Sequence, residues 1–139
     1  MIDSKTAPYA ATLLRLSLGV MFLAHSLLLK VFIFTVPGTV QFFESLGLPG
    51  FSAYLVILAE IVGGLLLILG VRTRIVALAL LPVLLGATWT HAGNGWLFTN
   101  QGGGWEYPLF LVAAVAVQAL LGDGAYALRL PRAASRATA

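Results

Sequence analysis

The chain has 139 residues, of which 60% are hydrophobic and only 9% are charged, and its formal net charge is +3. A mean hydropathy of +0.97 is more than a soluble domain of this size could hide in one core, so the composition predicts an integral membrane protein that does not bind nucleic acid. The lack of cysteine excludes a thiol nucleophile, a disulfide relay and any cysteine-ligated iron–sulfur or zinc site in this subunit.

Four apolar stretches are candidates for helices that cross the bilayer. They cover residues 9–34, 51–70, 75–92 and 107–121. Because each crossing takes about 20 residues, four of them would use most of the chain and leave no room for a separate soluble module. The sequence therefore predicts an all-α integral membrane protein, a four-transmembrane-helix bundle that forms one domain over residues 1–139.

Basic residues orient these helices. Lys5 precedes the first stretch, Arg72 and Arg74 fill the turn between the second and the third, and further arginines follow the fourth. These last arginines are Arg129, Arg132 and Arg136. Since positive residues favour the cytoplasmic side, we expect both termini, with a tail over about residues 129–139, to be cytoplasmic.

The two longer connections would then face outward. In the first, Pro-Gly pairs bracket residues 39–46, where apolar and polar residues alternate, and this pattern predicts a short interfacial helix. The second, residues 93–107, contains Trp96, Trp105 and Tyr107 among many glycines, which is typical of an irregular loop. Its aromatic residues fit either a belt at the headgroups or a loop that faces a ligand.

Glu60 lies near the middle of the second stretch, where an ionisable side chain is costly and commonly functional. It could also stay protonated, or pair structurally to fix helix registry. A rise of about 1.5 Å per residue puts His25 at the same depth as Glu60 and Arg15 about 15 Å deeper, so we rank His25 first as the partner of Glu60. We assign Arg15 and Lys30 to structural roles or charge pairing. The plainer interpretation is that Arg15 snorkels toward the cytoplasmic face and that Lys30 anchors the helix at the headgroups.

A polar cluster near the outer mouth follows as a hypothesis. Its members are His25, Lys30, Glu60, His91 and Glu106. Within it, Glu60 and His25 are the expected sites of proton exchange. Aromatic side chains could line an apolar slot beside the cluster, although they would serve equally well as ordinary packing. The candidates for this lining are Phe22, Phe51, Tyr54 and Trp105.

Several short motifs, taken in order and spacing, resemble the DoxX family over about residues 10–130. The motifs are Arg15-Leu-Ser-Leu-Gly19, Phe22-Leu-Ala-His25 with Lys30 five residues on, Leu46-Gly-Leu-Pro49, Glu60-Ile-Val-Gly-Gly64 running to Leu69-Gly70, Arg72-Thr-Arg74, and Trp105-Glu-Tyr-Pro108 followed by Gly122-Asp-Gly124. The resemblance implies a four-helix protein of the bacterial inner membrane. Some members are named for the membrane subunit of a thiosulfate:quinone oxidoreductase, and others are linked to oxidative-stress complexes.

A cluster of acid and base groups suits proton exchange with a quinone, whose reduction takes up protons as well as electrons. We therefore expect a DoxX-like membrane subunit of a redox system, which binds a quinone or another small apolar molecule near Glu60. A soluble or membrane partner would supply electrons, since no metal, haem or flavin site is expected and the chain would not be catalytic alone.

Two alternatives stay open. One is a non-catalytic membrane anchor or assembly module for partner proteins, in which the polar cluster only holds the helices together. The other is a small-solute carrier, which is less favoured because no inverted repeat or broken-helix pattern is visible. In either case the glycine-lined helix faces would permit a homo-oligomer.

Overall fold

The structure is a computed structural model that describes residues 3–128, and all regular secondary structure in this part of the chain is helical. The α-helices are α1 (Ala7–Leu23), α2 (Val36–Ser45), α3 (Phe51–Leu69), α4 (Thr73–His91) and α5 (Glu106–Leu121). A π-helical segment, Ala24–Ile33, continues α1, and a 3-10 turn, Ala92–Asn94, follows α4. The all-α membrane fold is confirmed, while the tail predicted at residues 129–139 lies outside the described residues.

Three helical units are long and apolar enough to cross a membrane. They are Ala7–Ile33, Phe51–Leu69 and Thr73–Asn94. The 19 residues of α3 reach about 28 Å, close to the roughly 30 Å of a bilayer's hydrocarbon core. The 16 residues of α5 reach only about 24 Å, so the fourth crossing of the expected bundle stays a prediction.

The short helix expected between the first two crossings is present, but it begins at Val36, three residues before the predicted start at residue 39. The earlier start has a local cause. Thr35 acts as the N-cap, with its Oγ1 accepting a hydrogen bond from the Gly38 N–H at 3.3 Å, and Pro37 lies in the first turn, where a proline is tolerated. The chain then ends α2 at Ser45 and enters α3 through Pro49-Gly50.

Helix packing depends on small residues at the contact between α1 and α3. A Cβ atom placed on Gly64 would lie 2.9 Å from the Gly19 carbonyl oxygen, and one on Gly19 would lie 2.8 Å from the Gly64 carbonyl oxygen. The two backbones therefore touch, as membrane helices do where glycines meet. The core continues between α1, α3, α4 and α5 through almost fully buried side chains such as Phe22, Leu67 and Val115.

The end of the first long helix is π-helical, whereas the sequence predicted a regular helix to residue 34. The Phe34 N–H donates to the carbonyl of Leu29, five residues earlier, at 2.8 Å. Two side-chain hydrogen bonds connect this segment to its neighbours: Ser26 Oγ, within the segment, donates to the Ile57 carbonyl in α3 at 2.9 Å, and Thr39 Oγ1 of α2 donates to the Lys30 carbonyl at 2.9 Å. An i→i+5 pattern holds more residues per turn than an α-helix, so it changes which side chains face inward.

At the opposite end of the helices, the segment after α5 folds back over Arg15. This arginine is only 1% exposed, and its Nη2 lies 3.3 Å from the Ala125 carbonyl oxygen. Asp123 accepts a hydrogen bond from the Thr73 N–H at 2.9 Å, and the Leu128 N–H donates to the Leu69 carbonyl at 2.9 Å. Arg15 thus extends toward the end of the helices where the cytoplasmic face is predicted, but protein backbone covers its guanidinium.

Candidate functional site

A cavity of about 860 Å³ lies between the π-helical segment, α2, α3, α4 and the start of α5. This volume falls within the range of about 300–1,000 Å³ that small-molecule sites occupy. Its walls are mostly apolar. Representative lining residues are Phe22, Leu29, Phe42, Phe43, Val56 and Leu84. The cavity is therefore suited to an apolar molecule with a few polar atoms.

An ion pair between Lys30 and Glu60 forms part of the cavity wall. Lys30 Nζ lies 2.8 Å from Glu60 Oε1 and 2.6 Å from Oε2, and the side chains are 19% and 6% exposed respectively. Burying either charge alone would be expensive, and two close hydrogen bonds offset that cost. It is the only salt bridge within residues 3–128.

This pair corrects two sequence expectations. The direct partner of Glu60 is Lys30 rather than His25, and Lys30 points inward instead of snorkelling to the headgroups. Helical rise gives only the depth of the backbone, and the long side chain of Lys30 reaches Glu60 from a different level. The π-helix contributes as well, because in an α-helix His25 and Lys30 would diverge by about 140°, whereas here both line the cavity.

His25 lies beside the pair in the same cavity wall. Its Nδ1 is 3.0 Å from the Met21 carbonyl oxygen, and its ring stacks on Tyr107 with centroids 5.9 Å apart and planes inclined by 22°. A carbonyl oxygen can only accept, so Nδ1 carries the hydrogen and Nε2 holds the lone pair of the neutral ring. His25 therefore offers the cavity a basic nitrogen in a fixed orientation.

His91 lines the cavity where α4 meets the outer loop. Its Nδ1 lies 3.0 Å from the Gly102 carbonyl oxygen and 3.1 Å from that of Gly103, and Asn94 Nδ2 donates to the same two carbonyls at 3.0 and 2.9 Å. These contacts fasten the glycine-rich loop to the end of α4. His91 thus combines a place in the cavity wall with a bracing contact.

Two predicted ligand residues of the outer loop lie away from the cavity. Glu106 Oε1 accepts a hydrogen bond from the Phe98 N–H at 2.9 Å, and Trp105 packs edge to face on Trp96 with ring centroids 4.6 Å apart. Neither residue lines the cavity. We therefore reassign both to the internal structure of the loop.

Tyr54 is also placed elsewhere, since it is 56% exposed and does not line the cavity. The residues of α3 that do are Ser52, Val56 and Glu60, which follow one another at intervals of four and so share a face. Tyr54 is two residues from Ser52 and from Val56, about 200° around the helix from each, and it points away from the site. Phe51, the other aromatic proposed from the start of α3, is 65% exposed.

Sequence reasoning missed the contribution of α2 and the role of Tyr107. Phe42 and Phe43 form one wall of the cavity, although the alternating pattern of their segment predicted only an interfacial helix. An amphipathic pattern marks an apolar face without saying whether lipid or protein covers it. The sequence assigns Tyr107 either to a headgroup belt or to a loop that faces a ligand, and it does line the cavity, but no sequence signal pairs it with His25.

Within residues 3–128, no group of three or more histidine, aspartate and glutamate side chains is arranged to hold a metal ion. The polar groups of the cavity are instead divided between an ion pair and two histidines whose Nδ1 atoms face backbone carbonyls.

The DoxX family model matches residues 10–93, more than half of the chain. The chain belongs to the DoxX family. The match contains the ion pair and both histidines, and it ends before the outer loop and α5, short of the residue 130 to which the motifs were extended. Together with the three long apolar helices, it makes this a bacterial membrane protein in contact with the lipid bilayer.

Among curated proteins, the chain is similar to one named "Putative oxidoreductase CatD" from Bacillus subtilis (strain 168). The two are 38% identical over 84 residues, which are 60% of this chain and 60% of that protein. The chain thus spans about three fifths of the length of the relative that it matches. No solved structure matches the chain.

Proposed function

We propose that this chain is the membrane subunit of a redox system and binds a quinone, or another small apolar molecule, in the cavity beside Glu60. The observation that carries the proposal is an apolar cavity of about 860 Å³, bordered by a mostly buried ion pair between two helices that are long and apolar enough to cross a membrane. A ligand that reaches such a site from the bilayer has to be soluble in lipid. The name of the Bacillus relative favours redox chemistry over transport.

In this proposal the side chains of the cavity bind the carrier and exchange protons with it. Glu60 and His25 are the two groups for proton exchange, because a carboxylate and a neutral imidazole can each take up and return a proton. Lys30 holds the carboxylate in position through its two short contacts. The electrons come from a protein partner, so this subunit does not complete the reaction alone.

The first test is mass spectrometry of lipid-soluble molecules extracted from protein purified in mild detergent. Wild type is compared with Glu60→Gln and with Glu106→Gln, which makes the same chemical change at a carboxylate outside the cavity. We expect a near-stoichiometric quinone in wild type and in Glu106→Gln, and its loss from Glu60→Gln. A quinone retained in both Glu60→Gln and Glu60→Leu would remove Glu60 from the proposed site.

Glu60→Gln also leaves Lys30 without its partner. A second pair of variants therefore tests the cavity while the ion pair stays intact. Ala87 lines the cavity, whereas Ala79 lies on an exposed face of the same helix, α4. We expect Ala87→Phe to fill the cavity and displace the quinone, and Ala79→Phe to retain it. Absence of any bound ligand from wild type, with a protein partner still captured, would favour the anchor hypothesis instead.

A further inference from the structure

The serine and threonine hydroxyl groups that line the cavity already donate their protons to the protein backbone. Thr39, Ser52 and Thr90 line the cavity, and each hydroxyl donates to a backbone carbonyl, at distances of 2.9, 2.5 and 3.0 Å in that order. A hydroxyl group has one proton and two lone pairs. Toward a ligand, each of these three side chains therefore presents lone pairs only.

The two histidines follow the same pattern. His25 Nδ1 faces the carbonyl of Met21, and His91 Nδ1 faces those of Gly102 and Gly103. Since each Nδ1 must donate, the nitrogen left in each neutral ring is Nε2, which accepts. No residue within the described chain forms a hydrogen bond with either Nε2. Both rings thus add acceptors to the cavity.

Glu60 adds further acceptor capacity. An ionised carboxylate offers about four lone-pair positions, and Lys30 occupies one on each oxygen. The donors that line the cavity are fewer: the remaining N–H of Lys30, the hydroxyl of Tyr107, and the indole of Trp89, which is 61% exposed at the end of α4. The polar surface offered to a ligand is therefore dominated by acceptors.

We propose that this cavity selects the reduced form of its aromatic carrier, a hydroquinone, over the oxidised quinone. The inference rests on the proposed function and adds the redox form that the site prefers. A hydroquinone carries two O–H groups that can donate to the acceptors around Glu60 and His25, whereas the two carbonyl oxygens of a quinone can only accept. An acceptor buried against another acceptor loses its hydrogen bond to water and gains none in return.

Selective binding would also change the redox behaviour of the bound carrier. A site that holds the reduced form more tightly than the oxidised form shifts the equilibrium of the bound couple toward reduction. The carrier would then accept electrons more readily in the cavity than in free bilayer. This direction fits a subunit where a partner's electrons are collected on the carrier.

The test compares three molecules of nearly the same shape on the full chain in detergent under anaerobic conditions. The probes are tetramethyl-1,4-benzoquinone, its hydroquinone, and the dimethyl ether of that hydroquinone, which keeps the oxygens and lacks both O–H groups. We expect the hydroquinone to bind at least about tenfold more tightly than the quinone, the change in Kd that one well-made hydrogen bond provides. The dimethyl ether should bind no better than the quinone.

His25→Phe provides the matched variant, because phenylalanine keeps an aromatic ring beside Tyr107 and removes the Nε2 acceptor. We expect it to weaken binding of the hydroquinone more than binding of the quinone, and so to reduce the advantage of the hydroquinone. Equal or tighter binding of the quinone by wild type, or an ether that matches the hydroquinone, would overturn the selectivity and leave the proposed function standing. Failure of all three molecules to bind wild type would overturn the proposed function itself.

Discussion

At the scale of single residues, the Lys30–Glu60 pair dominates the energetics of the site. Both side chains are mostly buried, so each charge depends on the other for stabilisation. Removing one partner of such a pair typically costs about 3–5 kcal/mol, whereas replacing both with apolar residues is often close to neutral. The structural contribution of the pair can therefore be separated from its proposed chemistry.

We predict that Lys30→Met and Glu60→Leu are each strongly destabilising and that the double variant is more stable than either. The measurement is the temperature at which half of the protein leaves the monodisperse peak on size-exclusion chromatography after heating in detergent. The double variant should fold and yet hold no quinone. Additive losses of stability would contradict the pairing, because independent residues give additive effects.

Glu60 and His25 line the same cavity, and the sequence could place them at one level because an intramembrane carboxylate stands out in an apolar helix and the helical rise gives its depth. It did not identify Lys30 as the partner. Helix rotation and the local π-helix decide which long side chain reaches the carboxylate, and neither can be recognised from the hydropathy pattern. The loop positions of Glu106 and Trp105 were equally unpredictable, since irregular backbone has no period from which side-chain direction can be inferred.

At the scale of elements, the helices followed their apolar stretches closely, and α3 was predicted to within a residue at each end. Its end is set locally, because Gly70 adopts a left-handed φ of +74° that stops a helix, and a Cβ there would overlap the Arg15 guanidinium. Short-range contacts therefore determine where α3 ends. The contact between α1 and α3 depends instead on small residues, which allows a direct test.

We predict that Gly64→Ala destabilises the protein by about 1–3 kcal/mol, the usual cost of overpacking. Its new methyl group would meet the Gly19 carbonyl oxygen at 2.9 Å, and backbone cannot rotate away as a side chain can. Gly86→Ala in α4 is the control, since a Cβ there meets nothing within 4 Å. The same heating assay should show a loss for Gly64→Ala and an unchanged or raised midpoint for Gly86→Ala.

If the two glycine variants behaved alike, the close approach of α1 and α3 would not govern stability. A loss confined to Gly86→Ala would point to backbone flexibility in α4 as the more important property. The second result would assign the larger effect on stability to the cavity wall, because Gly86 lines the cavity and Gly64 does not.

At the scale of the whole molecule, the family match and the basic residues give different kinds of information: the match identifies the family, and the basic residues predict the orientation. The match ends at residue 93, so it gives no information on the rest of the loop after α4 or on α5. The positions of Lys5, Arg72 and Arg74 predict that the α3–α4 turn faces the cytoplasm. In that orientation the loop after α4 would face the outer side.

We predict that Thr99→Cys is labelled by a membrane-impermeant maleimide on intact cells and that Ser4→Cys is labelled only after the membrane is permeabilised. Both native residues are exposed, and the chain contains no other cysteine. The wild-type chain, which has no cysteine, is the control for background labelling. Labelling of Ser4→Cys on intact cells would reverse the orientation, and labelling of both would place the two positions on the same side.

The neutrality of the Lys30–Glu60 pair has a consequence for a membrane that carries a voltage. While the pair is intact its charges cancel, so the transmembrane potential does almost no net work on it. Once a proton neutralises Glu60, the lysine charge stands alone inside the field, where a full crossing is worth about 2.3 kcal/mol per 100 mV. Proton uptake at this site would therefore depend on membrane voltage as well as on pH, and de-energised membranes would bind protons there with a different affinity.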